Sequence, residues 1–111
     1  AMFYRNGTGA LLYVWTSSGS GFTYKGAWWS VASGYDLLNV GDRFVASDFK
    51  GDGKDDVATA YQYADGTFRY HVWLSTGTGF SYRGAEGWFQ SGQYTLSRAD
   101  GRMVAGNWNG D

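Results

Sequence analysis

The stretch YVWTSSGSGFTYKGA (residues 13–27) returns as HVWLSTGTGFSYRGA (residues 71–85), an offset of 58. After a one-residue slip the likeness continues. Trp29 matches Trp88, Tyr35 matches Tyr94, Leu37 matches Leu96, and Arg43-Phe44-Val45-Ala46 matches Arg102-Met103-Val104-Ala105. The chain of 111 residues thus carries two copies of a repeat, and a period of this size signals an array of supersecondary units.

Within one unit, alternation and turn chemistry place four strands. Residues 43–49 read as the first, followed by the acidic loop of residues 50–55. Residues 56–63 form the second strand, and Ala64-Asp65-Gly66 turns it into a third over residues 67–75. The turn Thr76-Gly77-Thr78-Gly79 leads to a fourth at residues 80–84. Four antiparallel strands per repeat describe a β-propeller blade. The third strand is apolar on both faces: Phe68, Tyr70, Val72 and Leu74 share one, while Trp73 lies beside His71 on the other. That suits a sheet packed from both sides. The fold class expected is all-β, with no helix of note, because no window holds apolar residues at helical spacing and Gly interrupts nearly every one.

Composition narrows the function classes. Aromatics make up 20% and Gly numbers 18, a pairing that speaks against disorder. There is no Cys, so disulfides and thiolate metal sites are out. Nine scattered Lys and Arg against ten Asp and Glu give a net charge of −1, without the basic face that nucleic acid requires. No run reaches the roughly 18 apolar residues of a membrane span, and the opening AMFYRNGTG lacks a signal-peptide pattern.

The repeat boundaries set the expected organisation. Residues 1–42 form strands two to four of a first blade plus a connection. Residues 43–101 form a second blade plus its connection, and residues 102–111 form a further first strand. Two blades cannot close a ring, since propellers take about 4–8. The expectation is a cyclic homo-oligomer, trimer or tetramer, in which residues 102–111 complete the first blade of the next subunit. The competing expectation is that the chain is part of a longer tandem protein.

The loop Asp48-Phe49-Lys50-Gly51-Asp52-Gly53-Lys54-Asp55-Asp56 carries carboxylates at its positions 1, 5 and 9. Such spacing can wrap oxygen ligands around Ca²⁺. It is not an EF-hand, because Thr59 stands at position 12 and strands flank it. Lys50 occupies position 3, where an Asp or Asn ligand is expected, and its ammonium would repel a cation or replace it. The second copy reads Asn107, Asn109, Asp111. The plainer reading of the loop is a solvated turn built on Asp and Gly propensity.

A sugar needs an aromatic face for its apolar side and polar groups for its hydroxyls. The segments after the fourth strands, Ala27-Trp28-Trp29-Ser30 and Glu86-Gly87-Trp88-Phe89-Gln90, supply aromatics together with Tyr35, Tyr94, Arg43 and Arg102. Trp28 has no counterpart in the other repeat. As an enzyme the chain is poorly equipped. It has one His and no Cys, His71 aligns with Tyr13 on a strand, and its close carboxylates sit in the acidic loop. The expectation is a binding protein, not a catalyst.

The pattern RFVASDFKGDGKDDVATAYQY followed by GTFRYHVWLSTGTGF resembles the FG-GAP/VCBS-type propeller repeat, and the architecture is similar to that of the Psathyrella-type propeller lectins. The resemblance implies a propeller with calcium loops, with Asp48, Asp52, the Lys54 carbonyl and Asp56 as ligands and Lys50 as the departure. From the lectin members it further implies fucose or a related monosaccharide bound between adjacent blades, and an extracellular location. The alternative kept beside it is a structural or protein-interaction propeller that binds no sugar.

Overall fold

The computed structural model describes residues 1–85, 94–99 and 101–110. Among these residues it is all-β: seven strands in two antiparallel sheets, with two single turns of 3-10 helix at Leu37–Asn39 and Leu96–Arg98. The chain divides into two compact units, Ala1–Leu38 and Asn39–Asp111.

The first unit is a three-stranded sheet, β1 (Met2–Asn6), β2 (Gly9–Ser17) and β3 (Phe22–Val31), in that order. Alternation along β2 buries Ala10, Leu12 and Val14 on one face. The opposite face carries the aromatic series Tyr13, Trp15 and Tyr24, with Tyr4 of β1 edge-on to Tyr13 at 5.9 Å. The second unit has four strands, β4 (Phe44–Ser47), β5 (Asp56–Gln62), β6 (Phe68–Ser75) and β7 (Phe80–Gly84), again in sequence order. Its first strand is shorter than the expected 43–49, because Asp48 and Phe49 already belong to the acidic loop.

Five consecutive residues of β5, from Asp56 to Ala60, are buried. In β6 both Val72 and Trp73, on opposite faces, are almost wholly enclosed. A one-sided sheet would expose every second residue. These central strands therefore agree with the two-sided packing read from the sequence, while four strands in meander order match the expected strand set of one unit.

The repeat is visible in backbone detail. In β3 and β7 the register slips beside Gly26 and Gly84, which sit opposite Val14 and Val72. Both glycines adopt positive φ, 85° and 55°, the backbone state a Gly-type bulge demands and a β-carbon resists. The bulge lets β3 continue past Gly26. Trp28, Trp29 and Ser30, expected in a connecting segment, are instead residues of that strand, with Trp29 opposite Leu12 and Ser30 opposite Leu11. The turns repeat too: Ser18 N–H donates to Gly21 O and Thr76 N–H to Gly79 O, each at 3.0 Å.

In the second unit a corner forms where Ala60, Phe68 and Leu96 make a buried cluster joined by Tyr70 and Met103, and the Gln62 carboxamide accepts from Leu96 N–H at 3.1 Å. Residues 102–106, the sequence twin of β4, form no ladder among the described residues. Met103 packs on the corner cluster instead, while Val104 is exposed.

Gly9 has no room for a side chain, because a β-carbon there would collide with the carbonyls of Val31 and Ala32. Backbone cannot yield as a flexible side chain would. Gly9→Ala is expected to destabilise the first unit by about 2–3 kcal/mol, read as a lowered urea midpoint with the m-value unchanged.

Candidate functional site

The acidic loop is organised by backbone N–H groups that converge on carboxylates. Asp48 accepts from Gly51, Asp52 and Gly53 at 2.7, 3.0 and 2.6 Å. Three successive amides thus cradle one anion, and the Gly53 bond leads in holding the Asp48 carboxyl below the usual range. Asp56, fully buried, accepts from Phe49 and Lys50 N–H on one oxygen and from Ser75 N–H at 2.7 Å on the other. Asp52 takes Lys54 N–H at 3.1 Å and stands between two ammoniums, Lys50 at 3.0 Å and Lys54 at 3.2 Å. The hydrogen bond from Lys50 is foremost in lowering the Asp52 carboxyl pKa.

Beside this loop lies a polar cleft of about 390 Å³ bordered by Ser47, Asp48, Lys50, Asn107 and Asn109. The two copies of the loop motif therefore meet along one cleft of the second unit, a juxtaposition their separation in sequence did not reveal. An apolar groove of about 310 Å³ is lined by Val45, Phe49, Tyr70, Met103 and Trp108. Trp108, at 80% exposure, was not among the expected site residues. Its alignment with Phe49 was the available signal.

The expected sugar-binding residues divide between the units. Trp29 and Tyr35 meet edge to face at 5.8 Å in the first, where Trp28 is half-buried. Tyr35 is buried and its N–H donates to Thr8 O. Arg43, also buried, donates from Nη2 to Asn39 O at 2.9 Å and from Nε to Ala60 O at 3.5 Å. Those bonds make Arg43 a clasp of its corner. Arg102 repeats the clasp, donating to Arg98 O at 2.7 Å, but its side of the corner is exposed. Tyr94 is 68% exposed, with its ring edge-on to Phe68 at 6.0 Å. Trp88 lies outside the described residues.

His71 is enclosed by tyrosines. Its Nε2 shares a hydrogen bond with Tyr63 Oη at 2.8 Å, its Nδ1 faces Tyr82 Oη at 3.4 Å, and Tyr61 stacks on its ring at 5.2 Å. Burial first, and Arg69 second, pull its pKa from 6.5 down to about 4. These phenol partners hold a neutral imidazole in place, which is a packing role.

Comparison with protein-family models, with curated proteins and with solved structures returns no match. Among the described residues no helix is long and apolar enough to cross a membrane.

Two outcomes follow from this geometry. Because the folded His71 binds its proton less readily than the unfolded one, its contribution is present above pH 6.5 and is lost as pH falls towards 4, by up to about 3 kcal/mol. His71→Phe should flatten the stability profile between pH 7 and 5 in denaturant titrations. Asp56→Asn replaces one acceptor oxygen by an NH2 group facing buried donors and is expected to cost about 1–3 kcal/mol, measured as a drop in urea midpoint.

Proposed function

We propose that this chain is a non-enzymatic carbohydrate-binding module built from propeller blades and multivalent through a cyclic homo-oligomer of three or four copies. The contrast in exposure between repeat-equivalent residues carries the reading. Tyr35 in the first unit and Arg43 in the second are buried, whereas their counterparts Tyr94 and Arg102 face solvent. An exposed aromatic ring together with a guanidinium anchored by its own backbone bond offers a stacking surface and planar donors for sugar hydroxyls. Trp28 and Trp29, half-buried on β3, are further aromatics offered by the first repeat. The resemblance to the FG-GAP/VCBS repeat and to propeller lectins favours fucose or a related monosaccharide lodged between blades.

Assembly is supported by the aromatic face of the first sheet. Tyr4, Tyr13, Trp15 and Tyr24 form a chain of ring contacts, and Tyr4, Trp15 and Tyr24 are exposed, as is Phe22. Their repeat partners Tyr61, His71, Trp73 and Tyr82 make the same kind of cluster around a fully buried Trp73. An apolar patch of this type on one copy of a unit marks an interaction surface. The same face favours the second reading, a propeller that binds a polypeptide and no sugar.

Light scattering is expected to give three or four times the 12.2 kDa chain mass. A monomer removes the ring. On glycan arrays the assembled protein should retain multivalent glycans through avidity, and Tyr94→Ala should weaken binding by about tenfold or more. Retention of a peptide partner with no response to any glycan establishes the second reading instead.

A further inference from the structure

The FG-GAP/VCBS-type loop implies a divalent cation, and the donor set here can be tested against that. Each of the three carboxylates expected as ligands is already met by N–H donors: Asp48 by three amides, Asp56 by three, and Asp52 by one amide and two ammoniums. The centre of the loop holds a positive charge of its own. Lys50 Nζ hydrogen-bonds to the Ser75 carbonyl, lies 3.0 Å from Asp52 Oδ2 and 3.9 Å from the buried Asp56 Oδ1. One carbonyl and two carboxylates from the loop and the end of β6 thus surround an ammonium in the manner of hard-cation ligands. Among the described residues no three His, Cys, Asp or Glu side chains converge as a metal site requires.

We propose that the Lys50 ammonium is the built-in cation of this loop, occupying the place of Ca²⁺ and making the second sheet independent of divalent metal. The reason is electrostatic. A fully buried carboxylate such as Asp56 needs a compensating positive charge, and a tethered ammonium supplies it at every metal concentration. A divalent ion would have to displace that ammonium and meet its repulsion. The other copy of the motif carries Asn109 at the position of Lys50, so the lysine is a feature of the first loop alone. This inference concerns how the loop is held, and it stands whether or not the chain binds sugar.

The experiment compares wild type, Lys50→Asn and Lys50→Met, each melted in EDTA and in millimolar Ca²⁺ and titrated with Tb³⁺ by luminescence. Wild type should melt within about 1 °C in both buffers and give no saturable Tb³⁺ signal. Lys50→Asn, which restores the oxygen ligand seen at Asn109, should melt lower in EDTA, gain more than about 5 °C in Ca²⁺ and bind Tb³⁺ saturably, since a ligand specific to the folded state raises stability by mass action. Lys50→Met, with the charge removed and no oxygen supplied, should melt below wild type in EDTA by about 4 °C or more. A wild type stabilised by Ca²⁺, or a Lys50→Met that melts with it, overturns the proposal. So does a Lys50→Asn protein that neither binds Tb³⁺ nor melts higher when Ca²⁺ is added.

Discussion

The second sheet depends on one buried anion. Asp56 opens β5, and its two oxygens tie the acidic loop at Phe49 and Lys50 to the far end of β6 at Ser75. Ser75 lies beyond the last β5–β6 pair, Val57 with Trp73, so the carboxylate extends the sheet where the backbone ladder has ended. A charge in such a place is tolerable only when its donors are complete. Three N–H groups supply them, and the Lys50 ammonium adds a positive charge 3.9 Å from Asp56 and 3.0 Å from Asp52. The path of the chain between β4 and β5, and with it the polar cleft beside Asn107 and Asn109, follows from that arrangement.

A second constraint is the glycine bulge. Gly26 and Gly84 interrupt the register at equivalent places in two sheets, where a bulge raises the local twist of a strand. In the first unit this delivers Trp28 and Trp29 within the strand. Trp29 there meets Tyr35. In the second unit the cluster around Leu96 leaves Tyr94 and Arg102 in solvent. Residues of one sequence pattern thus differ in what they present.

Much of the second sheet was legible in the repeat. Its strand order and, to within one residue, the bounds of three of its four strands follow from Gly-containing turns and from alternation, which are local properties. The positions of Trp28 and Trp29 were not legible, because a positive-φ glycine reads as a turn in sequence and acts as a bulge once a partner strand is present. Residues 102–106 repeat the pattern of β4, but a pattern alone makes no ladder. A strand exists only where another backbone takes up its hydrogen bonds.

The sequence by itself determined the all-β class, the two repeats, the turns between strands and the two apolar faces of β6, since each rests on the chemistry of neighbouring residues. The tertiary structure decided which side chains are open and which are spent. Arg43 and Arg102 are alike in sequence, as are Tyr35 and Tyr94, but only folding buries one of each pair. It likewise sets Lys50 beside Asp52, Asp56 and the Ser75 carbonyl, a meeting that joins a loop to a residue 25 positions away. Burial and long-range charge pairing depend on what the rest of the chain brings near, and no local pattern encodes that.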